Sequence, residues 1–195
     1  MKTKIVCILG LALTAAVLTA GCGNAKDTAG KTEDKGNQSA GTESGSKAGL
    51  GIVTDLSNSK AATAAEAGLV QTDATIAAVT VDAQGKIVTC TIDSVQAKVA
   101  FDGTGKITGD VSAAVPSKQE LGEGYKMKAA SSIGKEWNEQ ADAFAAYCIG
   151  KTAEEVTGIA VTEKGTAADA DLAASCTVHI GVFQEAVAKA VENAR

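Results

Sequence analysis

Aromatic side chains are scarce in this 195-residue chain: three Phe, two Tyr and one Trp, 3% in all. A hydrophobic core must therefore come from the aliphatic residues, which the 45% apolar content supplies. Histidine occurs once, as His179, and no two cysteines stand as a CxxC pair. That removes the donor sets of the common zinc sites, so no metal centre is expected. A single histidine cannot fill several acid–base roles, and no Gly-x-Ser-x-Gly elbow is present. Basic excess is missing too. The formal net charge is −5, which leaves no cationic patch to release counterions from phosphate backbones and excludes nucleic acid as a partner. Gly103-Thr-Gly-Lys-Ile-Thr108 fails as a phosphate loop because Ile107, not Ser or Thr, follows Lys106. Asp82 and Asp102 open turns without the ligand ladder of a calcium loop. No catalytic constellation emerges.

What is present begins with a leader. Met1 to Lys4 is basic, and Ile5 to Leu18 is an apolar run too short for a comfortable membrane span. It reads as a secretory signal over residues 1–21. The run closes on Leu18-Thr-Ala-Gly-Cys22, which resembles a bacterial lipobox and makes Cys22 the expected lipidation site. Acyl chains there would fix the protein to the outer face of the cell membrane. Removal of Lys2 and Lys4 with the leader leaves 16 basic against 23 acidic residues, a balance of −7. Residues 22–48 are rich in Gly, Ser, Thr, Asn, Lys and Asp, the composition of a flexible tether. Residues 49–195 then form one domain, whose three cysteines, Cys90, Cys148 and Cys176, are odd in number and read as free thiols.

Within that domain, Gly51 to Asp55 and Ala65 to Val70 read as short strand pieces. Thr75 to Val81 alternates, with Ile76 and Ala78 on one face and Ala77, Val79 and Val81 on the other. Asp82-Ala-Gln-Gly85 supplies turn chemistry, and Lys86 to Asp93 returns, a hairpin signal. Ala97 to Phe101 is a further strand ending at Asp102-Gly-Thr-Gly105, with Lys106 to Thr108 placed to pair back. Beyond Pro116, Trp137, Ala141, Phe144 and Cys148 share helical spacing, so a helix is expected from about Lys135 to Cys148. Thr152-Ala-Glu-Glu155 is a capping box opening another. Val182 to Asn193 forms a last amphipathic helix, with Phe183, Val187, Ala190 and Val191 on its apolar side. Strands first and helices afterwards imply an α+β domain, a small antiparallel sheet followed by helices.

One stretch carries candidate chemistry: Asp171-Leu-Ala-Ala-Ser-Cys-Thr177. It resembles the site at which a bacterial flavin transferase esterifies the phosphate of FMN to a threonine hydroxyl. The pattern is Asp, two variable residues, Ser or Thr, Gly, Ala and the acceptor Thr. Asp171 and Thr177 hold that separation, Cys176 replaces the Ala, and Ala174-Ser175 replaces the Ser/Thr-Gly pair. Read residue by residue, this is also compatible with a plain strand, in which Thr177 and His179 would share a face. The segments Ala130 to Gln140, Gly150 to Val156 and Ala78 to Val88 accompany it in the expected order. Together they resemble the FMN-binding lipoproteins of Gram-positive bacteria that serve extracellular electron transfer, also called pheromone-encoding lipoproteins.

The resemblance implies an FMN-binding-domain-like fold and covalent FMN held as a phosphoester on Thr177. Asp171 and Ser175 would assist cofactor binding or transferase recognition. Its implied partners are the flavin transferase, a membrane NADH dehydrogenase or quinol pool as donor, and the membrane itself through the lipid anchor. The protein would be an electron carrier rather than an enzyme with its own substrate. Two rivals remain: a non-redox lipoprotein binding a ligand or cell-wall component, and a precursor whose signal peptide yields a peptide pheromone.

Overall fold

The computed structural model describes residues 45–195. The leader, Cys22 and most of the expected tether lie outside the described residues. The fold is α+β: three antiparallel strands in the order β1-β2-β3 come first, and five helices follow. Strand β1 (Lys47–Asp55) starts two residues ahead of the expected domain boundary at 49. Ala48 exchanges backbone hydrogen bonds with Arg195, so the last residues that read as tether are paired.

The strands are longer than the local patterns imply. Ala65 to Val70 and Thr75 to Val81 are not separate pieces; one strand, β2, runs Gly68–Val81. Lys86 to Asp93 and Ala97 to Phe101 likewise merge into β3, Ile87–Phe101. Polar residues at Asp73, Asp93 and Ser94 interrupt the apolar alternation but not the hydrogen-bond ladder, which runs from Gly68↔Phe101 to Val81↔Ile87 with one irregularity at Thr80/Val81. Both turns after these strands use the same chemistry. Asp82 Oδ1 accepts from Gln84 N and Lys86 N at 2.9 and 2.8 Å. Asp102 Oδ1 does the same for Thr104 N and Lys106 N at 2.9 and 3.0 Å. Gly85 and Gly105 supply the positive φ (76° and 85°) that each turn requires. Lys106 to Thr108 pairs back only as an isolated bridge, Phe101↔Ile107.

Helices α2 (Trp137–Tyr147) and α5 (Gly181–Glu192) cover one face of the sheet. Ala77, Val79, Val81 and Ile92 meet Phe144, Ile180, Phe183 and Val187 in a single buried cluster. Complete burial of a Val, Ile or Phe contributes about 1.5–3 kcal/mol each. Close approach of α5 to β1 depends on two strand glycines. A β-carbon on Gly49 would overlap the Ala190 carbonyl oxygen, and one on Gly51 the Ala186 carbonyl oxygen. The opposite face of the sheet leaves Leu50 and Ile52 exposed.

Short elements complete the fold. α1 (Lys118–Leu121) opens on a Ser117–Glu120 capping box, and α3 (Ala153–Thr157) on the expected Thr152–Glu155 box. Gln184 of α5 donates to the carbonyls of Val156, Thr157 and Ile159 at 2.9, 3.2 and 3.0 Å, which ties α3 to α5. α4 (Ala170–Ala173) is capped by Asp169. The Asp171–Thr177 heptad is thus a short helix and an irregular segment, not a strand. Thr177 and His179 therefore share no strand face.

Candidate functional site

Thr177 sits half-buried between α4 and α5, held by Gln140 of α2. Gln140 is fully buried, and every hydrogen-bonding use of its amide is local. Its Oε1 accepts from Thr177 N at 2.8 Å and from Thr177 Oγ1 at 3.1 Å. Its Nε2 donates to Ser131 Oγ at 3.2 Å and to the Lys135 carbonyl at 3.0 Å. The bond from Thr177 N does not involve the hydroxyl oxygen. Lys135 also brings positive charge to the segment. Burial raises the pKa of the Cys176 thiol above its ordinary value, and the Val178 backbone N–H, then the Lys135 ammonium, partly oppose that rise. Farther along, α5 begins at Gly181 without a capping side chain, at the positive end of its dipole.

Val178 and His179, the two residues after Thr177, line a pocket of about 340 Å³, within the range of small-molecule sites. Its apolar wall includes Trp137, Phe183, Tyr125 and Met127. Trp137 meets Phe183 edge to face, with centroids 5.7 Å apart and planes at 81°. Lys118 Nζ stands 5.0 Å from the Tyr125 centroid and 5.1 Å from that of Trp137, a cation–π arrangement. Gln119 fixes α1 in this place by bonding Ile92 O, Asp93 Oδ1 and Asp142 Oδ1. Met127 is pinned by its backbone N–H, which donates to the buried Glu136 carboxylate at 2.7 Å. The opposite wall is polar and comes from the sheet: Asp55, Asp73, Thr75, Ser94 and Gln96.

Asp171 and Ser175 are the two residues expected to assist at Thr177. Asp171 is exposed in the first turn of α4. Ser175 Oγ donates back to the Leu172 carbonyl at 3.2 Å. Neither forms a hydrogen bond with Thr177. His179 is exposed, packs against Gly165 and reaches the pocket wall. Gln140 is the partner that the sequence pattern did not single out. A fully polar Gln on the buried face of an amphipathic helix, in step with Trp137, Ala141 and Phe144, is the signal that marks it.

Among the described residues, no group of three or more His, Cys, Asp or Glu side chains is placed to hold a metal ion. Nor is any helix there long and apolar enough to cross a membrane. Comparison with known protein families, curated proteins and solved structures finds no match.

Proposed function

We propose that the chain is a membrane-anchored extracellular electron carrier, with FMN esterified through its phosphate to Thr177. The observation that carries the reading is the Thr177 hydroxyl, hydrogen-bonded to buried Gln140 and directly preceding residues that line a pocket with an aromatic wall. The residues present fit the group. Gln140 orients the acceptor, and Lys135 supplies charge for a phosphate. The pocket beginning at Val178 offers flat aromatic and amide-rich surfaces to a ring. Bound FMN would supply one- or two-electron redox chemistry.

The chain's own task is to retain the cofactor, orient it and limit water around it. Covalent attachment prevents loss by dilution outside a cell. Trp137 and Phe183 give the site a stiff apolar side, and Lys118 is held over the rings of Trp137 and Tyr125. Electrons would come from a membrane NADH dehydrogenase or quinol pool and leave to extracellular acceptors. Acylated Cys22 and the segment after it would keep the domain near that donor.

Co-expression of the chain with a flavin transferase tests the assignment. Intact mass should rise by one FMN less one water, with the modified peptide containing Thr177, and the Thr177→Ala variant should be colourless. A flavinylated Thr177→Ala protein would overturn it. A second reading, a non-redox binding lipoprotein using the same pocket, is favoured by the lack of any hydrogen bond from Asp171 or Ser175 to Thr177. It predicts an unmodified mass beside a transferase that is active on a control substrate.

A further inference from the structure

The polar wall of the pocket is a regular grid. Thr75 of β2 lies directly opposite Ser94 of β3, and Asp73 lies opposite Gln96. Both pairs project from the helix-covered face, because two residues along a strand restore the same side. Side chains directly opposite stand about 5 Å apart, and successive pairs on one face lie about 7 Å apart. Four polar groups therefore present one small hydrogen-bonding surface to the cavity.

Their free valences are specific. Asp73 Oδ2 accepts from Gln71 Nε2 at 2.7 Å and from Asn58 Nδ2 at 3.0 Å. Asp73 Oδ1 accepts only from Gln96 Nε2, at 2.7 Å. A carboxylate has about four acceptor positions, so one on Oδ1 is unfilled. Thr75 and Ser94 are 5% and 3% exposed and line the pocket. Neither hydroxyl has a hydrogen-bond partner among the described residues. Both oxygens open onto the cavity, since Asn138 Oδ1 is the one buried side-chain polar atom without a partner among the described residues. Here they are offered to whatever fills the cavity. Two donors beside a strong acceptor are the complement of an N–H flanked by two carbonyls. The carboxylates of Asp55 and Asp73 also make this end unsuited to a phosphate.

We propose that Asp73, Thr75, Ser94 and Gln96 form a subsite for a cyclic imide edge, which in this protein is the pyrimidine-dione edge of the flavin ring. The hydroxyls of Thr75 and Ser94 donate to the two ring carbonyls, and Asp73 accepts from the N–H between them. The amides of Gln71, Asn58 and Gln96 hold Asp73 rigid for that purpose. This identification rests on the flavin reading above, but the subsite can be tested without the covalent bond.

The test uses the full chain made without a transferase, titrated with lumiflavin and with lumiflavin methylated at N3, followed by flavin fluorescence. Lumiflavin should bind, and methylation at N3 should weaken binding about tenfold or more, the worth of a hydrogen bond to a charged acceptor. Asp73→Asn should weaken lumiflavin by a similar factor while leaving the methylated analogue unchanged, and the double variant Thr75→Val/Ser94→Ala, which removes the donors to the carbonyls, should weaken both flavins. The double variant breaks no internal hydrogen bond, so it guards against a folding artefact in Asp73→Asn. Equal binding of the two flavins, or no binding of either, overturns the subsite. Mass spectrometry of transferase-treated chain reports separately on Thr177. FMN on Thr177 without N3 dependence rejects the imide subsite alone. N3-dependent binding without modification of Thr177 keeps the subsite and rejects the attachment.

Discussion

Replacement of Gln140 by Leu is the sharpest probe of how Thr177 is held. The two side chains are similar in size, so the substitution removes polarity more than volume. Four hydrogen bonds disappear: two from Thr177 to Oε1, and two from Nε2 to Ser131 Oγ and Lys135 O. At a net value of about 0.5–1.5 kcal/mol each, the sum is about 2–6 kcal/mol. Ser131, Lys135 and Thr177 are half-buried and recover part of it from water, which places the expected loss at about 2–4 kcal/mol. For a domain of this size that lowers Tm by about 4–16 °C. Thr177→Val removes only the hydroxyl bond and should cost about 0.5–1.5 kcal/mol. Urea unfolding of both variants beside the parent measures the two values on one scale. With a transferase present, Gln140→Leu should also flavinylate more slowly, at a temperature where circular dichroism shows it folded. A Gln140→Leu loss below that of Thr177→Val would refute this account of the loop.

Further outcomes follow from other parts of the structure. In Gly51→Ala the new β-carbon would overlap the Ala186 carbonyl and lie 2.6 Å from Ala190 N, so α5 must shift, at a cost of about 1–3 kcal/mol; an unchanged urea midpoint would show that the helix does not sit so close. For Asp73, burial raises the carboxyl pKa, but the Gln71, Asn58 and Gln96 amides together outweigh it and hold the group below its ordinary value. Its contribution to stability is therefore present above the unfolded carboxylate pKa and lost as pH falls through the lower folded value. Asp73→Asn should have a shallower acid limb in a stability-versus-pH series, and superimposable limbs would contradict the assignment. Burial and the contact with Cys90 keep the Cys148 thiol protonated, burial does the same for Cys176, and the Cys148 contact favours the Cys90 thiolate. Iodoacetamide at pH 8, read by peptide mass, should label Cys90 first of these three and reach Cys148 and Cys176 only on unfolding.

Local chemistry made several elements legible in the sequence. The Asp82–Gly85 and Asp102–Gly105 turns, the Thr152 capping box and helices α2 and α5 depend on neighbours within a few residues, which a pattern can express. The order of strands and helices gave the α+β class for the same reason. Strand length was not legible, because Asp73 and Ser94 break the apolar alternation that usually marks a strand. Only the ladder with opposite residues shows that these polar positions still face the helices, as the wall of a pocket. The heptad could be found by its spacing, but spacing did not reveal that Asp171 and Ser175 form no hydrogen bond with Thr177. Nor could it reveal that Thr177 bonds to a glutamine 37 positions earlier. The pairing of Gly49 and Gly51 with Ala190 and Ala186 belongs to the same class. Each is a contact between distant segments, fixed by how a helix settles on a sheet. Sequence alone pointed to the hairpin, the two Asp–Gly turns and helices α2, α3 and α5, and offered Thr177 as a candidate acceptor. Tertiary packing decided what surrounds it, because burial and hydrogen-bond satisfaction are properties of the assembled core.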